Sequence, residues 1–108
     1  MHNFTALLIC PSVKMNNKST CKKCFCNCFP DKVYISIDID GLDPKLCPNT
    51  GTPVPGGMEY EELMYLLNKV KESGKEIIGF DLCEVSPGDD EWDGNVGARV
   101  LYHLCGII

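Results

Sequence analysis

Apolar positions in the last two thirds of this chain follow two different periods. Val33-Tyr-Ile-Ser-Ile-Asp-Ile39 and Glu76-Ile-Ile-Gly-Phe-Asp-Leu82 are short β-branched and aromatic runs, and they predict two buried strands. Between them, Tyr60, Leu63, Met64, Leu67 and Val70 stand at i, i+3, i+4 spacing and predict an amphipathic helix over 59–73. Glu59, Glu61 and Glu62 in its first turn and Lys69 and Lys71 near its end match the helix dipole, and Gly74 supplies the stop. Val96, Val100, Leu101 and Leu104 predict a second helix over about 93–105, despite Gly94 and Gly97. Residues 41–57 hold four prolines and four glycines and read as a rigid loop.

The order is therefore strand, loop, helix, strand, loop, helix. Apolar strands alternating with helices imply the α/β class, with a parallel sheet and right-handed crossovers. In such sheets a ligand site lies beyond the carboxyl ends of the strands. Both strands here end in acid: Asp38 and Asp40 on the first, Glu84 just past the second.

The first 30 residues break this pattern. They show neither a helical nor a strand period, so little regular structure is expected there, and a boundary falls near Pro30. This leader carries Lys14, Lys18, Lys22 and Lys23 with no acid, and five of the eight cysteines. The apolar stretch from Phe4 to Cys10 has no Lys or Arg before it, unlike a secretory signal. A reducing, cytoplasmic compartment follows, in which eight cysteines are not read as four disulfides. Cys21, Cys24, Cys26 and Cys28 could hold Zn²⁺ through four thiolates, or could be incidental to a poorly ordered leader.

Composition narrows the function classes. With 108 residues, 44% hydrophobic and 23% charged, the chain suits one globular domain. No apolar run reaches the roughly 18 residues that span a bilayer, so no membrane partner is expected. A net charge of −5 argues against nucleic-acid binding by bulk charge.

Asp38 and Asp40, two apart in an extended chain, point to the same side. Carboxylates are hard ligands for Mg²⁺, Mn²⁺ or Ca²⁺, and a close pair can hold two cations that share an acidified water. They can equally cap the Pro/Gly loop through backbone N–H groups. A calcium EF-hand loop is excluded, because Gly41 comes too early and Leu42 occupies the third ligand position. A haloacid-dehalogenase-like phosphotransferase would place Thr or Val soon after the pair, where Gly41 and Leu42 stand.

Ser36-Ile-Asp-Ile-Asp-Gly-Leu-Asp-Pro44, followed by Pro48-Asn-Thr-Gly-Thr-Pro-Val-Pro-Gly-Gly57, resembles the signature of the ureohydrolase family, the arginases and agmatinases. Gly79-Phe-Asp-Leu-Cys-Glu-Val-Ser-Pro87 resembles that family's next strand and its end. The likeness covers 31–108, the C-terminal part of a longer family chain, and Glu91-Trp-Asp-Gly-Asn-Val-Gly-Ala-Arg99 looks closer to the agmatinase branch. Residues 1–29 resemble nothing in the family.

The resemblance implies part of a three-layer α/β/α fold and a two-Mn²⁺ centre that hydrolyses a guanidino compound such as agmatine or arginine, releasing urea. By position, Asp38 matches the carboxylate bridging both ions, Asp40 a ligand of one ion, and Asp43 a loop-fixing residue. Glu84 matches the carboxylate that receives the substrate guanidinium. The family's Gly-Gly-Asp-His and Asp-Ala-His-x-Asp segments are absent, and His2 and His103 are the only histidines. No catalytic residue is therefore identified, and His103 reads as a helix-face residue. The expected molecule is a truncated or misjoined enzyme, weakly active or inactive alone. It should have an open sheet edge, an uncovered apolar face, and a tendency to associate as a homo-oligomer or through that edge. The alternative is a non-catalytic fragment or a small Cys-cluster zinc binder.

Overall fold

Strict alternation in the central strand decides which way the sheet faces. In the computed structural model, which describes residues 4–9 and 30–108, strand β2 (Lys32–Asp38) buries Val33, Ile35 and Ile37 completely and leaves the residues between them half-buried. Strand β3 (Glu76–Cys83) pairs with β2 in parallel, setting Val33 against Ile77, Ile35 against Phe80 and Ile37 against Leu82. The register slips once between Val33 and Tyr34, so Ile78 has no opposite number on β2. A further strand, β1 (Phe4–Ile9), pairs in parallel with the other side of β2, giving the order β1-β2-β3.

β1 corrects one expectation. Phe4–Ile9 lies inside the leader, where little regular structure was expected, and the backbone forms a full ladder with β2 from Phe4↔Lys32 to Ile9↔Ile37. Pairing with a buried neighbour overrides weak local periodicity. The cluster from Cys21 to Cys28, with its zinc reading, lies outside the described residues.

Helix α1 (Tyr60–Glu72) and helix α2 (Trp92–Ile107) pack on the Val33-Ile35-Ile37 face, adding Leu63, Met64, Leu66, Leu67, Val70, Val96, Val100, Leu104 and Ile107 to one apolar core. Each fully buried aliphatic side chain of this kind contributes about 1.5–3 kcal/mol. The Glu59 N–H donates to Glu62 Oε2 at 2.9 Å and closes the first turn of α1. Past its end, Gly74 takes φ +74, the left-handed stop its sequence position predicts. His103, half-buried on α2, sits with Nε2 3.0 Å from Asn68 Oδ1 of α1 and ties the two helices together, as a helix-face residue would.

The opposite sheet face carries no helix among the described residues. On β2 and β3 it is also not the apolar surface expected of it. Tyr34, Ser36, Asp81 and Cys83 stand there, with Ser36 Oγ donating to Asp81 Oδ1 at 2.8 Å and Lys32 Nζ 3.5 Å from Glu76 Oε2. Strand alternation put Val33, Ile35 and Ile37 on one side of β2 and Lys32, Tyr34 and Ser36 on the other, so a strand read as buried is covered on one face only among the described residues.

Candidate functional site

The carboxyl ends of β2 and β3 lie side by side, Asp38 opposite Cys83, and the three acids singled out above gather there. The chain does not stay extended past Asp38. Ile39–Gly41 forms one turn of 3-10 helix, with Asp38 as its N-cap and the Asp40 N–H donating to Asp38 Oδ1 at 3.3 Å. A tight turn, and not a continuing pleat, therefore brings the two aspartates together. The capping role weighed against cation binding is thus met in part by the same atoms. Asp43 Oδ1 accepts from the Lys45 N–H at 3.0 Å, a loop-fixing contact.

Asp40 is 3% exposed. Thr52 Oγ1 donates to its Oδ2 at 2.5 Å, while its Oδ1 is buried with no hydrogen-bond partner among the described residues. Burial pushes the Asp38 carboxyl up to about 6, helped by the hydrogen-bonded Asp40 side chain and by the charges of Asp40 and Glu84, against a lowering from the Asp40 N–H. Negative charge is thus concentrated at one point without a described cation to balance it. Hard oxygen donors, an orphaned buried carboxylate oxygen and mutual repulsion fit a divalent cation. The number of donors does not complete one: the described residues contain no group of three acidic, Cys or His side chains placed to hold a metal.

Glu84 follows β3 directly and is exposed. Its φ of +65 is the one positive value at a non-glycine among the described residues. Thr50 Oγ1 donates to the Glu84 carbonyl at 2.9 Å, holding that conformation, and a Cβ on Gly51 would stand 3.5 Å from Glu84 Oε2. Such left-handed backbone costs on the order of 1–2 kcal/mol and clusters where a side chain must be aimed.

The loop over 41–58 binds this arrangement together. It closes on itself through Met58 N–H to Gly41 O and Asp43 N–H to Met58 O, both 2.9 Å. Gly57 permits that closure, since a Cβ there would lie 2.2 Å from the Leu42 carbonyl oxygen. Cys47, fully buried, donates its Sγ–H to Ile39 O at 3.2 Å, and burial pushes its thiol up to about 11. Asn49 reaches across to the second helix: its N–H donates to Asp93 Oδ2 at 3.0 Å and its Nδ2 to Asp93 Oδ1 at 2.9 Å. Asp93 is fully buried in the first turn of α2, where the helix dipole favours its charge. Trp92 Nε1 adds a bond to Lys45 O at 2.9 Å.

Sequence reasoning treated this loop as a rigid wall but did not single out Thr50, Thr52, Asn49 or Asp93 as its fastenings. An acid at the start of a predicted helix was visible. Its partner 44 positions away was not.

A family model supports the grouping: that of the arginase family matches residues 13–106. The chain belongs to the arginase family. The match starts inside the leader, so the family likeness reaches further toward the N-terminus than the expected boundary at residue 31. This arginase-family chain is 42% identical over 76 residues to N(1)-aminopropylagmatine ureohydrolase of Thermus thermophilus, covering 70% of this chain and 26% of that protein. Among solved structures it is similar to proclavaminate amidino hydrolase of Streptomyces clavuligerus, with 37% identity and a TM-score of 0.63 over 70% of this chain and 26% of the other. It is also similar to the agmatine ureohydrolase of Thermoplasma volcanium, with 29% identity and a TM-score of 0.68 over 83% of this chain and 31% of the other. The chain spans about a quarter of the length of the curated relative. No helix among the described residues is long and apolar enough to cross a membrane.

Proposed function

We propose that these residues form part of the active site of a ureohydrolase, hydrolysing a C–N bond of a linear amidine such as agmatine or arginine with release of urea. One observation carries the reading: Asp40 holds a buried carboxylate oxygen without a hydrogen-bond partner among the described residues, beside an Asp38 carboxyl that feels the charges of both Asp40 and Glu84. In this reading Asp38 and Asp40 hold Mn²⁺, the cofactor that the resemblance implies. Two such ions, when bound, supply Lewis acidity toward water. Glu84 accepts the planar, multiply donating guanidinium, and its exposed carboxylate beside Gly51 leaves room for one. The loop over 49–52 keeps both carboxylate groups in place and walls off one side of the site.

Among the described residues Asp38 and Asp40 cannot by themselves complete two ions that each take five or six ligands, so little or no turnover is expected from this arrangement alone. A non-catalytic role is the second reading, and the same shortage of donors favours it. The small-molecule partner is a guanidino compound in either an agmatinase-like or an arginase-like reaction. A cytoplasmic location accords with Cys47, Cys83 and Cys105 being free thiols.

Mn²⁺ titration followed by the paramagnetic resonance of the free ion tests the site directly. Binding by the chain that disappears in Asp40→Asn supports the cation cradle, and no binding overturns it. Urea release from agmatine or arginine with added Mn²⁺ tests completeness: turnover equal to an intact relative overturns the incomplete-site argument.

A further inference from the structure

Three successive residues of the proline-rich loop treat the strand-end acids in different ways. Thr50 Oγ1 donates to the main chain of Glu84 at 2.9 Å, and Thr52 Oγ1 to the side chain of Asp40 at 2.5 Å. Gly51 stands between them in sequence and lies against the head of Glu84. A Cβ built on it would be 3.5 Å from Oε2.

Neither usual reason for a glycine applies at this position. Its backbone lies outside the left-handed region, unlike that of Gly88 at φ +60. Nor would a Cβ overlap a neighbour, as it would at Gly57. Glu84 Oε2 is the one described heavy atom that it would meet within 4 Å outside the adjoining residues, and 3.5 Å is ordinary van der Waals contact. Alanine is therefore admissible here. What it would change is access to one carboxylate oxygen.

That access decides what kind of cation Glu84 can grip. A guanidinium is planar and offers two parallel N–H groups, one to each oxygen of a carboxylate. An ammonium is a compact point charge with freely rotating donors, and one oxygen satisfies it. A methyl group against Oε2 covers a flank of one oxygen and leaves the net charge of the site unchanged. It costs the two-pronged ligand a bond and the point charge little.

We propose that Gly51 is a specificity-determining residue, whose missing side chain keeps both oxygens of Glu84 open and so selects a guanidinium over an ammonium of equal charge. The inference rests on the reading of Glu84 as the guanidinium receptor and names the loop residue that makes the receptor selective. The Thr50 bond and the left-handed φ of +65 fix the Glu84 main chain beside the loop, which sets Gly51 against the carboxylate.

Agmatine and putrescine test this, because both are dications on the same butyl chain and differ at one end only. Titration of the full chain, followed by the amide resonances of Gly51 and Glu84, should show tighter binding of agmatine. In Gly51→Ala, agmatine should weaken about three- to fivefold, the size of one exposed charged contact, with putrescine unchanged. Gly51→Ser should act likewise, since its hydroxyl can donate to Oε2 and occupy it. Both variants should keep the urea-unfolding midpoint of the parent. Equal weakening of the two ligands, or undiminished agmatine binding in both variants, overturns the role of Gly51. So does a parent that does not distinguish agmatine from putrescine. A parent that binds agmatine no better than Glu84→Gln does overturns the receptor reading itself, and the proposal with it.

Discussion

Replacing Asn49 with alanine removes one bond from a carboxylate that has no access to water. Asp93 is fully buried, and the Asn49 side chain supplies its Oδ1 with a donor at 2.9 Å, while the Asn49 backbone N–H serves Oδ2 and survives the change. Hydrogen bonds to charged groups are worth about 1.5–3 kcal/mol, so Asn49→Ala should destabilise the fold by about 2 kcal/mol. With a urea dependence of roughly 1–3 kcal/mol per molar for a small domain, the unfolding midpoint should fall by about 1 M. Asp93→Asn makes the informative contrast. The Asn49 amide can turn over, so that its oxygen accepts from the new amide while its N–H still donates to the new carbonyl. Both contacts are then kept, and the loss is confined to the charge at the start of α2, about 0.3–1 kcal/mol. Urea unfolding followed by circular dichroism measures both variants. An Asp93→Asn cost equal to or above that of Asn49→Ala would refute the reasoning, because it would mean that the negative charge itself has a stronger partner than Asn49.

Two further outcomes follow from the same loop and core. Iodoacetamide, with sites mapped by mass spectrometry, should modify exposed Cys83 and Cys105 in the native chain and spare Cys47 until denaturant is added; labelling of Cys47 at the rate of Cys105 would contradict its burial and its raised thiol. Gly57→Ala should lower stability by about 1–3 kcal/mol, since its Cβ would overlap the Leu42 carbonyl oxygen, and an unchanged melting temperature would show that the loop closes differently.

The pattern of apolar residues made most of the architecture readable. The α1 stripe from Tyr60 to Val70 gave a helix within a residue of its observed ends, because caps and charge pattern agreed with the period. β2 and β3 were readable because parallel strands are short, β-branched and bounded by loops. β1 was missed because its partner strand lies more than twenty residues away, and its own short run shows no clear period. At the site, acids at strand ends were visible, but the turn after Asp38 was not. The run to Ile39 reads as extended, and the Asp38 cap on the Asp40 N–H together with the Leu42 N–H bond to Ile39 O bends it. The fastening of Asn49 to Asp93 is a tertiary contact, for which no local pattern exists.

The left-handed backbone at Glu84 sets two selection pressures against each other. Glycine adopts φ +65 at no steric cost and asparagine at little, so either would relax the chain there. A library sorted only for resistance to heat would therefore drift toward these residues at position 84 and discard the anion, trading chemistry for comfort in a single step. If Glu84 receives the guanidinium as proposed, sorting for capture of that ligand would hold the glutamate and tolerate a less robust molecule.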